Sequence, residues 1–126
     1  MSLQNAVVEC LCGANVHVPF GYESKCPKCL RHIRKTGDYY TCFNNNLNEG
    51  TPVPTRFTYH PATASYFEYV FPDSEQEIMI IFSDRSASSG MWGKKAQDYY
   101  EAHYLVDRVI PVMWIPLIRK NPEASK

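Results

Sequence analysis

Two cysteine pairs near the amino terminus, Cys10-Leu11-Cys12 and Cys26-Pro27-Lys28-Cys29, are spaced to hold one metal ion. Thiolates bind Zn²⁺ tetrahedrally with Zn–S near 2.3 Å, which sets neighbouring sulfurs about 3.8 Å apart. Residues two apart on a straight strand share a face but stand about 6–7 Å from one another. Cys10 and Cys12 therefore meet on one ion only if the backbone curls behind them. Gly13 stands where that curl is needed, since it alone adopts positive φ without steric cost. Pro27 fixes the entry to the second loop, and the thirteen residues between the pairs suffice for a returning hairpin. The competing reading is a set of buried cysteines without a ligand.

Four thiolates close the coordination shell and leave the assembly with a charge of about −2, so such an ion neither ionises water nor polarises a carbonyl. The cofactor expected is structural Zn²⁺, bound by Cys10, Cys12, Cys26 and Cys29. Sites of this kind contribute on the order of 10–16 kcal/mol of apparent binding energy. His32 and Cys42 are spare donors and read as bystanders, with Cys42 buried near the site.

The elements that must position these residues read as follows. Val7-Val8 leads into the first pair and Val16-His17-Val18 alternates after it, giving strand, tight knuckle and strand. Tyr39 to Phe43 is a further short strand, and the Asn- and Pro-rich stretch from Asn44 to Pro54 is a loop and candidate boundary. Beyond it, Arg56–Tyr59, Ser65–Phe71 and Glu77–Phe82 suggest an antiparallel meander. Ser86 to Gly90 reads as a loop in which Ser88 or Ser89 caps a helix from about 92 to 106. Ala96, Tyr99, Tyr100, His103 and Val106 would form its core-facing stripe. Val109 to Ile118 is a final apolar strand whose prolines favour an edge or a bulge.

Residues 7–43, with their Cys-Leu-Cys-Gly and Cys-Pro-Lys-Cys knuckles, resemble a zinc ribbon. Ribbons usually carry two Cys-x-x-Cys knuckles. Here the first is Cys-x-Cys, and Leu30 stands where Gly often follows the second. The fold class expected is α+β: a ribbon over 1–45, then a small domain over 46–126 with the meander, one helix and the terminal strand. The resemblance implies nucleic-acid contact in transcription or replication control.

Lys25, Lys28, Arg31, Arg34 and Lys35, with Tyr39 and Tyr40 close behind, place cations for phosphate beside rings for bases. The expected partner is DNA or RNA. Two other readings stay open: basic side chains compensating an anionic zinc centre, or a protein-facing surface. Met113, Trp114 and Ile115 of the last strand are either interior or a patch for self-association or another protein.

Thirteen basic and thirteen acidic residues, with pI near 6.9, exclude a globally basic footprint. Five cysteines, an odd number, argue against a complete disulfide framework and favour an intracellular setting. The opening Met1 to Glu9 has neither the basic nor the apolar segment of a secretory signal. The longest apolar stretch, broken by Pro111 and Pro116, is too short for a membrane span. His17, His60 and His103 are isolated, and neither Asp84-Arg85-Ser86 nor Ser88-Ser89-Gly90 has a phosphate-loop or nucleophile-elbow context. Neither an enzyme nor a small-molecule substrate is expected.

Overall fold

The computed structural model describes residues 4–20, 23–44 and 50–117. In chain order the strands are β1 (Asn5–Glu9), β2 (Asn15–Val18), β3 (Ser24–Lys25), β4 (His32–Thr36), β5 (Tyr39–Phe43), β6 (Gly50–Val53), β7 (Thr55–Tyr59), β8 (Ser65–Tyr66), β9 (Gln76–Phe82) and β10 (Ala87–Trp92). Helix α1 (Lys94–His103) and strand β11 (Pro111–Pro116) complete it. All pairing is antiparallel, in sheets ordered β2-β1-β7, β3-β4-β5-β6 and β10-β9-β11-β8. Antiparallel sheets with one helix match the coarse expectation. Among the described residues no helix is long and apolar enough to cross a membrane.

Strand β1 explains how the sheets share a core. Ala6, Val7 and Val8 are all buried, because both faces of the strand are covered. Ala6 and Val8 point with Cys10 into a cluster of Val16, Val18, Cys26, Ile33, Tyr40, Cys42 and Val53. Val7, on the opposite face, joins Tyr59, Met79, Ile81, Ala87 and Ile115. The period of two thus divides one apolar triplet between two cores. A third cluster, Phe67, Ile78, Trp92 and Trp114, lies on the other side of the third sheet, with Phe71, Ala96 and Tyr100 packed on it.

Several expectations give way. The three segments after residue 54 do not pair in succession. β7 pairs with β1, β8 is only two residues long and pairs with β11, and β9 lies between β10 and β11. The meander reading followed chain order, but β7 lies along β1, where Tyr59 is buried in the second core and Phe57 packs against it. Pairing also runs across the expected division at 45, since β5 takes β6 as its neighbour. The small-residue stretch around Ser88-Ser89-Gly90 is strand, not loop, held by the ladder from Ala87↔Ile81 to Trp92↔Gln76. Backbone pairing with an apolar neighbour outweighs the weak strand preference of these residues.

With β10 reaching Trp92, α1 starts later, and Gly93 occupies its cap without a side-chain bond. Ala96 and Tyr100 meet the aromatic cluster, but Tyr99 and Val106 are exposed, so the expected core stripe narrows to one row. In β11, Trp114 and Ile115 are interior, and the register shifts between Pro111 and Met113, the bulge the prolines suggested.

Candidate metal centre

Each cysteine pair sits where a strand turns. β1 continues to Cys10, whose N–H donates to the Ala14 carbonyl at 2.8 Å, while Gly13 N–H donates back to the Cys10 carbonyl at 2.8 Å. Gly13 has φ of 95°, the curl that brings Cys12 round to Cys10. The second knuckle leaves β3. Leu30 N–H donates to the Cys26 carbonyl at 2.9 Å, and Cys26 N–H donates to the Arg31 carbonyl at 2.8 Å. Leu30 closes the knuckle with φ of 67°, at the position where glycine is usual. A left-handed β-carbon costs about 1–2 kcal/mol, so the knuckle is held against local preference by what surrounds it.

The four sulfurs converge. All lie within 4.8 Å of one another. Cys10 Sγ is 3.3 Å from Cys29 Sγ, and Cys12 Sγ is 3.5 Å from Cys26 Sγ. These separations approach the edge of about 3.8 Å that a Zn²⁺ tetrahedron demands, and none is a disulfide. The donor set therefore fits a thiophilic ion with Zn²⁺ geometry. Cys10 and Cys26 are buried in the first core, Cys29 is half-buried and Cys12 is exposed. The ion would sit at the border of the core, clamping the β1–β2 turn to the β3–β4 turn.

A fifth sulfur was passed over in the sequence as a bystander. Cys42 Sγ, fully buried, lies 3.7 Å from Cys10 Sγ. The signal was in the register: Gly37-Asp38 closes a two-residue hairpin that pairs Thr36 with Tyr39 and therefore Ile33 with Cys42. Cys42 thus shares the inner face with Ile33, behind the knuckles. His32, the other spare donor, points away and meets Glu23 at 3.6 Å.

The thiols feel opposed influences. Burial pushes Cys10 well above the ordinary thiol range, and burial likewise raises Cys26. Burial also resists charge on Cys29, but hydrogen bonds from the Arg31 backbone, Cys10, the Arg31 side chain and Cys12 outweigh it and hold Cys29 down to about 6. Arg31 in turn is raised by its hydrogen bond to Cys29. This is the charge compensation an anionic centre calls for.

The basic segment is more occupied than its sequence suggests. Arg34 pairs with Glu23 at 3.1 Å and lies over the Phe43 ring at 5.2 Å, and Lys35 lies over Phe20 at 5.3 Å. Glu23 is an acid just ahead of the run that sequence reasoning overlooked. Lys25, Lys28, Arg34, Lys35 and Tyr39 are exposed, Tyr39 at 49%. Tyr40 departs from the expected surface set: it is 7% exposed and belongs to the first core, because β5 alternates and Tyr40 shares the face of Cys42. Comparison with protein-family models, with curated proteins and with solved structures finds no match to this chain.

Proposed function

We propose that Cys10, Cys12, Cys26 and Cys29 hold one structural Zn²⁺ in a ribbon-like module, and that the protein is a zinc-stabilised binding protein. The convergence of four sulfurs within 4.8 Å carries this reading. The ion's task is mechanical: it joins two turns whose strands, β1–β2 and β3–β4, belong to different sheets. Metal analysis of protein purified without chelator tests it. One equivalent of zinc is expected, and an absence of metal with four free thiols overturns it.

The proposed ligand is single-stranded nucleic acid, contacted by Lys25, Lys28, Arg34, Lys35 and Tyr39. Exposed cations around an exposed ring support this, since phosphate contacts and base stacking use these groups. Arg31 is assigned instead to the thiolates. Lys28→Ala with Lys35→Ala should keep the zinc while weakening binding and flattening its salt dependence by about 0.7 per lost phosphate contact. Binding unchanged by the double substitution refutes the assignment.

A second reading, a protein-interaction module, is favoured by exposed Leu11 and Leu30 at the two knuckle tips. Light scattering across concentrations tests self-association, for which a strict monomer counts against that reading.

A further inference from the structure

Helix α1 rests on the aromatic cluster of the third sheet through Ala96 and Tyr100 alone. No residue of the helix is buried, and beside its last turn, between the helix end and residues 66–71, lies a cleft of about 560 Å³, within the usual range for a small-molecule site. Residues 110–112 form part of its lining, and Tyr66, Phe71, Tyr100 and Tyr104 contribute aromatic walls. Phe67, Glu68 and Glu101 also line it, and among the described residues the lining contains no Lys or Arg; Arg108, on the loop after the helix, is not part of it.

The rings pack on one another, one pair stacked and one edge to face. Tyr104 lies 5.2 Å from Tyr100 at 11°, while Phe71 lies 5.5 Å from Tyr100 at 79°. Phe67, tilted 31° at 5.4 Å from Tyr100, braces the group against Trp92 at 5.0 Å. Aromatic faces carry negative potential, so a wall of packed rings with the Glu68 and Glu101 carboxylates beside it attracts a positive charge. A neutral apolar guest would instead desolvate Glu68 and Glu101 without return. Burial, followed by Tyr104 and Glu68, pushes the Tyr100 hydroxyl above its usual range. The ring therefore stays neutral at physiological pH.

We propose that this cleft binds a small organic cation, a quaternary or methylated ammonium compound whose head rests against the wall formed by Phe71, Tyr100 and Tyr104, with Glu68 and Glu101 at its edge. The site is separate from the cysteine centre and does not depend on the reading given for it.

Choline and its uncharged isostere 3,3-dimethyl-1-butanol differ in charge and hardly in shape. With zinc-loaded full-length protein, choline should shift the ring resonances of Tyr100 and Tyr104 saturably, and the isostere should bind about ten-fold more weakly, as desolvated cation–π contacts require. Equal binding of the two, or no saturable shift with either at tens of millimolar, overturns the proposal. Tyr100→Leu should abolish choline binding. Glu101→Gln, an exposed position that leaves the packing intact, should weaken it about three-fold, and an unchanged affinity there also overturns the proposal.

Discussion

The two ends of the molecule make cores by different means. The first core is built mainly from aliphatic side chains and sulfur: Ala6, Val8, Val16, Val18, Ile33 and Val53 with Cys10, Cys26 and Cys42, and one ring, Tyr40. The third uses rings, Phe67, Trp92 and Trp114, with Phe71 and Tyr100 alongside. Each buried aromatic removes far more apolar surface from water than a valine does. The aromatic end can therefore hold itself by burial, and it leaves a cleft beside α1 without losing its sheet. The sulfur end has short strands, none longer than the five residues of β1, β4 and β5. A metal held by its four cysteines would tie two of its turns and supply a cross-link that the aromatic end does without. Between the two ends lies the second core, and β1 joins it to the first, through Val8 on one face and Val7 on the other.

Loss of the metal should break the comparison most strongly. Cys26→Ser, or a strong chelator, is expected to remove the ion and melt β1 to β5, lowering Tm by more than about 15 °C. Ellipticity and melting unchanged by Cys26→Ser would show that the first core stands alone. The aromatic end should respond in the opposite sense. Trp92→Ala is expected to cost about 3–5 kcal/mol by denaturant titration while zinc stoichiometry stays the same. Zinc lost in that variant would mean that the two ends fold as one unit.

The seam between the ends carries a pH prediction. His17 is 5% exposed, its Nε2 lies 2.6 Å from the Tyr59 hydroxyl, and its backbone N–H donates to the Arg85 carbonyl. Burial, then the Arg85 charge, lowers its pKa from 6.5 to about 4. The folded state thus takes up the proton less readily than the unfolded chain. Stability from this residue is complete above pH 6.5 and is lost as pH falls toward 4, by about 3 kcal/mol in all. His17→Gln should flatten the acid limb relative to the parent, both saturated with metal so that thiolate protonation is common to the two. Parallel acid limbs would refute the assignment. The smallest effect expected is a gain. Leu30→Gly relieves the left-handed strain at the second knuckle and should raise stability by about 1 kcal/mol without altering metal content; a loss would mean that exposed Leu30 has contacts worth more than the strain.

The metal site was legible because its signal is local: residue type, a spacing of two and three, and a glycine where the chain must turn. The first knuckle follows from those features alone, whereas the second takes its left-handed turn at Leu30, which no local signal marks. Cys42 was half legible, through the Gly37-Asp38 hairpin, although nothing in the sequence says that its sulfur faces Cys10 rather than the far side of the sheet. Tyr40 was misread for the same reason. A strand of five residues has two faces, and composition does not choose between them.

Chain order misled the reading after residue 54. Strands joined by short turns usually pair with each other, but β7 goes to β1 because the free edge there lies between two apolar cores. The sequence by itself determined the chemistry: which four atoms are thiophilic donors, how tightly each pair must turn, and that the charges balance. Only the tertiary structure decided the neighbours, namely β1 between two cores, Glu23 among the basic residues, and a helix whose last turn stands beside an aromatic cleft. Donor type and turn geometry are set within a few residues, whereas a strand's partner is chosen by the total area the whole chain can bury, which no short window contains.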